Sequence, residues 1–299
     1  MADKDGIKDA KEFGIGIPQV TEGFHVKGCN HYGWGMKSRL SKIFNPKSGK
    51  SLMLAFDHGY FLGPTSGLER LDLKIPPLAD YIDCFMGTRG GMTTCIDPAI
   101  TANKSIALRV SSGSSILNDD LSNEIVSVDI AEAIRMNADL MATQVFIGAP
   151  HQKESIDNLS KVISAGNTYG VPTMGVVAVG KEMERNAKYF RLATRIIAEV
   201  GAQVVKSYYC DDFDSVVASC PVPIVIAGGK KMPEKDALEM CYNAISMGAA
   251  GVDMGRNIFQ SESPIAMVQS VRAIVHDGID NKEAFDMYNE LKAKYTLNI

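Results

Sequence analysis

Residues 203–209 read Gln203-Val204-Val205-Lys206-Ser207-Tyr208-Tyr209, an apolar run that contains one lysine. β-Branched and aromatic residues dominate this run, so we interpret it as a short buried strand. A helical pattern over residues 189–200 precedes it and ends at Gly201, and another apolar run, residues 224–227, follows it. Helices that alternate with buried strands in this way are typical of a parallel α/β fold.

The same alternation extends along the chain from about residue 50. The apolar runs that we interpret as strands are residues 52–56, 81–86, 106–110, 140–147, 173–177, 204–208, 224–227 and 251–254. Helical patterns cover residues 129–136, 153–169, 189–200 and 233–247, and a last helix begins at Ser263-Pro264 and ends near Gly278. Strands that are apolar throughout, rather than alternating, fit a parallel sheet covered on both faces.

Eight such units predict a (β/α)8 TIM barrel over residues 51–299, with residues 1–50 as an N-terminal arm. We expect the arm to cover the bottom of the barrel or to reach a neighbouring subunit. A doubly wound open sheet is the alternative. That fold usually carries a glycine-rich phosphate loop after its first strand, whereas this chain has Asp57-His58-Gly59 there.

Composition narrows the class of protein. The chain has 299 residues, of which 45% are hydrophobic and 22% charged, and its net charge is −4. This balance fits a soluble globular protein with a large core and does not favour binding to nucleic acid or to an anionic membrane. The six cysteines show neither CxxC nor zinc-site spacing, and the polar N-terminus has no signal-peptide core, so we expect a cytoplasmic protein with reduced thiols.

Lys206 is the first candidate catalytic residue. Burial disfavours the charged ammonium and lowers its pKa towards a neutral, nucleophilic amine. Such an amine, held on a rigid strand, can form a Schiff base with a carbonyl substrate. The alternative is a lysine whose head group reaches water or pairs with a carboxylate.

Further candidates follow other strands, at the end of the barrel where active sites of this fold lie. Asp57 and His58 follow the first strand, where they can position a substrate hydroxyl or move a proton. Gly228-Gly229 and Gly255-Arg256 follow the seventh and eighth strands, where this fold commonly binds phosphate. The alternative for these is a tight turn and a surface ion pair. We interpret the remaining histidines, His25, His31, His151 and His276, as surface or arm residues, and the spacing predicts no metal site.

The longest motifs resemble a known family. They are Leu54-Ala55-Phe56-Asp57-His58-Gly59-Tyr60, Lys206-Ser207-Tyr208-Tyr209, residues 220–231 and residues 251–260. Together they resemble class I aldolases of the DhnA type and, within that family, most closely the LsrF-type thiolases. The resemblance extends over nearly the whole chain, including the N-terminal arm.

The resemblance implies a Schiff base on Lys206 and a phosphate held by Gly228, Gly229, Gly255 and Arg256. It also implies a homodecamer without a tightly bound cofactor. The implied reaction is cleavage of 3-hydroxy-5-phosphonooxypentane-2,4-dione with coenzyme A (CoA) as co-substrate, in the breakdown of phosphorylated autoinducer-2. Its products are dihydroxyacetone phosphate and acetyl-CoA.

One position departs from the family pattern. The aldolases tend to have a proton-transferring tyrosine on the fourth strand, where this chain has Phe146. Tyr208, His58 or a water molecule would then transfer the proton. Two other functions stay open at this point. One is a class I aldolase acting on fructose 1,6-bisphosphate or a related sugar phosphate, and the other is a sugar-phosphate-binding protein without catalysis.

Overall fold

The computed structural model describes residues 14–17, 23–179 and 184–296. Its strands are β1 (Ser51–Ala55), β2 (Cys84–Thr88), β3 (Ser105–Arg109), β4 (Ser111–Ser112), β5 (Ile125–Val126), β6 (Leu140–Val145), β7 (Thr173–Val177), β8 (Val204–Tyr208), β9 (Ile224–Ala227) and β10 (Gly251–Met254). Eight of them close into a parallel barrel in the order β1-β10-β9-β8-β7-β6-β3-β2, and β4 pairs with β5 outside it. The predicted TIM barrel is confirmed.

Burial on both faces explains why the barrel strands are apolar throughout. In β1, Leu52 and Leu54 pack with the surrounding helices, while Met53 and Ala55 belong to a separate cluster inside the barrel. Side chains alternate between the two faces of a strand, so both sets must be apolar. The predicted bounds of β7, β8, β9 and β10 are confirmed, and those of the other barrel strands differ by a few residues.

The helices are α1 (Trp34–Ile43), α2 (Gly59–Leu62), α3 (Leu71–Lys74), α4 (Arg89–Cys95), α5 (Ile130–Arg135), α6 (Gln152–Tyr169), α7 (Ala187–Val200), α8 (Phe213–Ser219), α9 (Glu234–Ser246), α10 (Arg256–Phe259), α11 (Pro264–Arg272) and α12 (Asn281–Thr296). The predicted helical patterns correspond to α5, α6, α7, α9 and α11. Helix α11 continues as a π-helical turn to Asp277 and stops at Gly278, whose φ is +74°. None of the helices described is long and apolar enough to cross a membrane.

Helix α1 and the segment around it lie against the N-terminal end of the barrel. Met36, Leu40 and Ile43 are buried on one face of α1. They join the cluster inside the barrel, which includes Met53 and Cys84. This packing closes the bottom of the barrel, so a ligand must enter from the opposite end. The division of the chain into an arm and a catalytic barrel stays a prediction.

His276 is not a surface residue, so that interpretation was wrong. Its Nε2 lies 2.8 Å from Asp83 Oδ2 and its Nδ1 lies 2.8 Å from Ser48 Oγ, and the side chain is 7% exposed. The π-helical turn at the end of α11 carries it under the barrel, where it joins the loop before β1 to the loop before β2. The sequence pattern around it did not indicate this bridge.

Candidate active site

A cavity opens at the C-terminal ends of the barrel strands, and we call it the catalytic cavity. The predicted site residues all line it: Asp57, His58, Lys206, Tyr208, Gly228, Gly229, Gly255 and Arg256. Asp253, Arg109, Gln144, Met86 and Phe61 line it as well, with Ala55, Val176, Val177 and Ala227. Residues from β1, β8, β9 and β10 and the loops after them therefore meet, as a closed parallel barrel requires.

Lys206 lies deep in this cavity. Its side chain is 9% exposed, and Nζ lies 2.7 Å from Oδ2 of Asp253, whose side chain is fully buried. Nζ also donates to Met86 Sδ at 3.4 Å. Burial raises the pKa of Asp253, with a smaller contribution from Asp57, although the charge of Lys206 opposes the shift. Asp253 is therefore a carboxylate that can take up a proton from its lysine partner.

Asp57 is held by a buried cation on β3. Arg109 Nη1 donates to Asp57 Oδ2 at 3.1 Å, and Arg109 Nη2 donates to both oxygens of Glu124 at 2.9 and 3.0 Å. Tyr60 Oη contacts Arg109 and Glu124 and donates to Gln144 Oε1 at 3.1 Å. Burial would raise the pKa of Asp57, but its electrostatic interactions with His58, Arg109 and Lys206 lower it overall, so Asp57 is an anion at neutral pH.

His58 is a neutral imidazole in this setting. Burial lowers its pKa to about 4; the nearby Asp57 opposes this shift, whereas the cations Lys206, Arg256 and Arg109 add to it. Its Nδ1 lies 3.9 Å from Asp57 Oδ1 and has no hydrogen-bond partner among the residues described. A neutral imidazole that lines the cavity has one unprotonated ring nitrogen and can accept a proton from a substrate.

The loops after β9 and β10 form one wall of the cavity. Asn257 Nδ2 donates to Gly228 O at 2.6 Å, and Asn257 Oδ1 accepts from Met232 N at 2.9 Å, which ties the two loops together. A Cβ on Gly255 would lie 2.2 Å from Ala55 O, so only glycine fits there, and Gly229 has a φ of +70°. Gly255 thus packs closely against β1, whereas a Cβ on Gly229 would meet no atom of a described residue within 4 Å, so the loop after β9 leaves open space for a ligand.

Arg256 begins α10 at the same wall. Its Nε is buried and has no hydrogen-bond partner in the described part of the chain. It makes no ion pair with a described residue, so the surface-pair interpretation is not supported. A buried guanidinium donor that faces a cavity suits a phosphate or carboxylate ligand.

Tyr208 and Phe146 lie on the other side of Lys206. Tyr208 ends β8, and the guanidinium of Arg185 lies over its ring, with Cζ 4.4 Å from the ring centroid. Phe146 directly follows β6 and lines a second, adjoining cavity together with Tyr208 and Gln144. The phenyl ring cannot move a proton, whereas the cavity around Lys206 and His58 contains ionisable groups that can.

Sequence reasoning missed Asp253, Arg109, Glu124 and Gln144. Asp253 lies within the apolar run of β10, and Arg109 is the last residue of β3, which is also an apolar run. An ionisable residue inside such a run is the signal that identified Lys206, and it could have identified both. Glu124 comes from the loop between β4 and β5, where no local pattern distinguishes it. In the described residues no group of three or more His, Cys, Asp or Glu side chains could hold a metal ion.

Comparisons with known proteins agree with this geometry. Residues 51–261 match the DeoC/LacD family of aldolases. The chain is 56% identical over 293 residues to a 3-hydroxy-5-phosphonooxypentane-2,4-dione thiolase of Enterobacter sp. (strain 638), covering 98% of each chain. It is 55% identical over 289 residues to a thiolase of the same name from Yersinia enterocolitica, covering 96% of this chain and 98% of the relative.

The fold has solved counterparts. The crystal structure of an archaeal fructose 1,6-bisphosphate aldolase superposes with a TM-score of 0.73 at 22% identity, covering 82% of this chain and 100% of that one. This likeness concerns the fold. The chain belongs to the DeoC/LacD aldolase family and is an enzyme of the class I aldolase superfamily. Its resemblance to LsrF-type thiolases is confirmed.

Proposed function

We propose that this enzyme cleaves 3-hydroxy-5-phosphonooxypentane-2,4-dione with coenzyme A to dihydroxyacetone phosphate and acetyl-CoA, through a Schiff base on Lys206. The observation that carries the proposal is the identity of 56% with a thiolase of that name over nearly the full length of both chains. The geometry of the catalytic cavity supports it, because a buried lysine lies in one cavity with two glycine-containing loops and with Arg256, whose Nε has no hydrogen-bond partner among the described residues.

The phosphate of the substrate binds at the wall made by Gly228, Gly229, Gly255 and Arg256. Backbone N–H groups of the loops and the Arg256 fork supply donors to its oxygens. This contact fixes one end of the substrate, so that C4, the ketone next to the phosphate-bearing carbon, comes to Lys206. Positioning of this kind converts the reaction with the lysine into an effectively intramolecular step.

Imine formation at C4 needs a neutral amine. Asp253 lies 2.7 Å from Lys206 Nζ and its pKa is raised by burial, so it can accept the ammonium proton. The free amine adds to C4, and the same proton, returned by Asp253, helps the carbinolamine oxygen leave as water. The resulting iminium is the electron sink for the next bond cleavage.

Thiolysis then divides the carbon chain. His58, neutral in this cavity, takes the proton of the CoA thiol, and the sulfur adds to C2. The C2–C3 bond breaks, its electron pair moves into the enamine attached to Lys206, and acetyl-CoA leaves with C1 and C2. C3 of the enamine takes up a proton, and water hydrolyses the imine to release dihydroxyacetone phosphate and the lysine.

The ionised Asp57 has a positioning role in this scheme. Arg109 holds its carboxylate at 3.1 Å beside His58, where it orients the substrate hydroxyl at C3 and supports the imidazolium that forms. Tyr208 lines the same cavity and can carry a proton to C3. The resemblance also leads us to propose that the enzyme works as a homodecamer in the cytoplasm.

The test is formation of acetyl-CoA from the phosphorylated dione and CoA, with Lys206→Ala as control. We expect CoA-dependent product from the unmodified enzyme and none from the variant, which should still bind inorganic phosphate. A folded enzyme that forms no acetyl-CoA but cleaves fructose 1,6-bisphosphate without CoA would replace the thiolase by the aldolase. A fully active Lys206→Ala variant would end the Schiff-base proposal.

A further inference from the structure

A second cavity of about 720 Å³ lies directly beside the catalytic cavity, and we call it the thiol cavity. Four residues line both cavities, so the two share a wall: Phe61, Gln144, Tyr208 and Arg256. The thiol cavity is bounded by the ends of β6 and β7, by helix α2 and by the loop between β4 and β5. A ligand in it would therefore reach the catalytic cavity without crossing the barrel.

We infer that the thiol cavity receives the pantetheine arm of coenzyme A, an inference that rests on the proposed function. The order of the strands supports this placement. The phosphate wall belongs to β9 and β10, Lys206 to the neighbouring β8, and the strands that follow around the ring are β7 and β6. A dione with its phosphate at β9 and β10 and C4 on Lys206 points its acetyl end towards β7 and β6.

The lining of the thiol cavity suits a thin, mostly apolar arm. Phe146, Ala178 and Val179 form its side at β6 and β7, and Leu62 lies on the side of α2. Gln144 and Tyr208 add polar atoms at the junction with the catalytic cavity. Pockets of this size that bind small molecules are usually apolar with a few placed polar groups. The phenyl ring of Phe146 thus contributes an apolar wall at a position where it cannot serve proton transfer.

The charged end of CoA needs a cation outside this cavity. Arg185 is exposed, and its guanidinium stacks on the ring of Tyr208 at 4.4 Å, at the boundary of the two cavities. No ion pair joins it to a residue that the structure describes. Asp119 and Asp120 line the cavity from the loop between β4 and β5, and the negative charge of their carboxylates repels phosphate groups. The phosphates of CoA are therefore placed on the side of Arg185.

Two substitutions test this placement, each with a matched control. Ala149→Trp puts a large ring into the wall of the thiol cavity, and Ala131→Trp puts the same ring on an exposed position of α5. Arg185→Ala removes the cation at the boundary, and Arg195→Ala removes an arginine of α7 that pairs with Glu199. KM and kcat are measured for CoA, for pantetheine and for the phosphorylated dione, and the imine with dihydroxyacetone phosphate is trapped with borohydride.

We expect Ala149→Trp to raise KM about tenfold or more for both CoA and pantetheine while the yield of trapped imine stays unchanged. Arg185→Ala should raise KM for CoA several-fold and leave KM for pantetheine unchanged, because pantetheine lacks the nucleotide phosphates. The two control variants should behave as the unmodified enzyme.

Results that would overturn the thiol cavity differ from the result that would overturn the proposed function. Unchanged KM values for CoA in both Ala149→Trp and Arg185→Ala, with normal acetyl-CoA formation, would overturn the thiol cavity and leave the proposed function intact. An unmodified enzyme that traps the imine but forms no acetyl-CoA would overturn the proposed function itself. If Ala149→Trp loses imine trapping together with thiolysis, the ring blocks the dione rather than the thiol, and that result too would overturn the placement.

Discussion

The two ends of the barrel differ in how completely their ionisable side chains are hydrogen-bonded. At the N-terminal end, Asp83 Oδ2 accepts hydrogen bonds from Leu52 N at 2.7 Å and pairs with His276 at 2.8 Å. Asp139 accepts from Lys42 Nζ at 3.0 Å and from Ile106 N at 3.3 Å. Backbone and side-chain hydrogen-bonding partners thus satisfy these carboxylates together.

At the C-terminal end Arg109 pairs with Asp57 and Glu124, but three other ionisable groups keep unused hydrogen-bonding capacity. Among described residues, His58 Nδ1 and Arg256 Nε have no hydrogen-bond partner, and the carboxylate of Asp253 has only its ionic contact with Lys206. A buried polar atom without a partner costs folding free energy, about 1–3 kcal/mol in mutational data. A ligand can satisfy such atoms, and the ionisable ones lie at the C-terminal end of the barrel, which indicates that this end is the reactive one.

The two lysine–carboxylate pairs give the sharpest form of this comparison. Lys206→Arg keeps a cation beside Asp253 but cannot form a Schiff base, so we expect turnover to fall by about 1000-fold or more. Lys42→Arg, in the pair at the other end, should leave kcat unchanged. Steady-state assays of acetyl-CoA formation measure both. Substantial turnover by Lys206→Arg would remove the lysine from the chemistry.

Asp253 and Asp139, the carboxylate partners of these two lysines, should differ in the same way. Asp253→Asn cannot take the ammonium proton, so we expect imine formation to slow by about 100-fold. Asp139→Asn should leave this rate unchanged and lower stability by about 1–2 kcal/mol. Stopped-flow trapping measures the rate of imine formation, and denaturant unfolding measures the free energy of unfolding. If the only role of Asp253 were to keep the lysine charged, Asp253→Asn would form the imine faster than the unmodified enzyme. A faster rate would therefore contradict the proposed proton transfer.

Two arginines sharpen the comparison further. Arg256→Ala removes a donor to the substrate phosphate, and we expect KM for the dione to rise about tenfold, since a hydrogen bond to a charged group contributes about 1.5–3 kcal/mol. The effect on kcat should be smaller. Arg272, which lies 3.6 Å from Asp83 at the other end, is the matched control. An unchanged KM in Arg256→Ala would take this residue out of the phosphate site.

The pH dependence of activity tests His58. Its pKa is lowered to about 4, so the ring stays neutral and able to accept a proton down to about pH 5. As pH falls through 4 the ring is protonated and the base is lost. We therefore expect kcat/KM to show no loss from His58 between pH 8 and 5. An acid limb with a midpoint near 6.5 that disappears in His58→Gln would contradict this assignment.

The smallest effect on activity is expected at the bottom of the barrel. His276→Ala breaks the bridge between Ser48 and Asp83 and leaves a partly buried carboxylate with one partner fewer. We expect a loss of about 1–3 kcal/mol in the free energy of unfolding, with unchanged kcat and KM. Chemical denaturation and the acetyl-CoA assay check this. A large loss of activity in a fully folded variant would mean that the two ends are coupled.

Much of this architecture could be predicted from the sequence, for a physical reason. Parallel barrel strands are buried on both faces, so β7 to β10 stand out as continuous apolar runs, and a lysine within one of them is conspicuous. The sequence pattern did not predict helix α12, because only Ala284 and Tyr288 are buried along it and its apolar stripe is weak. Strands β4 and β5 have two residues each, too few for a pattern.

The candidate site was predictable in part for the same reason. Residues directly after strands meet at the rim of any such barrel, which is why Asp57, Arg256 and the paired glycines could be grouped in advance. Glu124 reaches the site from a loop, and its contact with Arg109 at the end of β3 joins segments that no local pattern relates. Cavity walls of this kind depend on three-dimensional proximity that no local pattern records.

The central claim is that Lys206 forms the Schiff base, and borohydride trapping tests it most directly. The enzyme is incubated with dihydroxyacetone phosphate, reduced, digested and mapped by mass spectrometry. The account predicts one reduced adduct, on the peptide that contains Lys206, and none in Lys206→Arg. No adduct, or an adduct on another lysine of the rim such as Lys230 or Lys231, would contradict it.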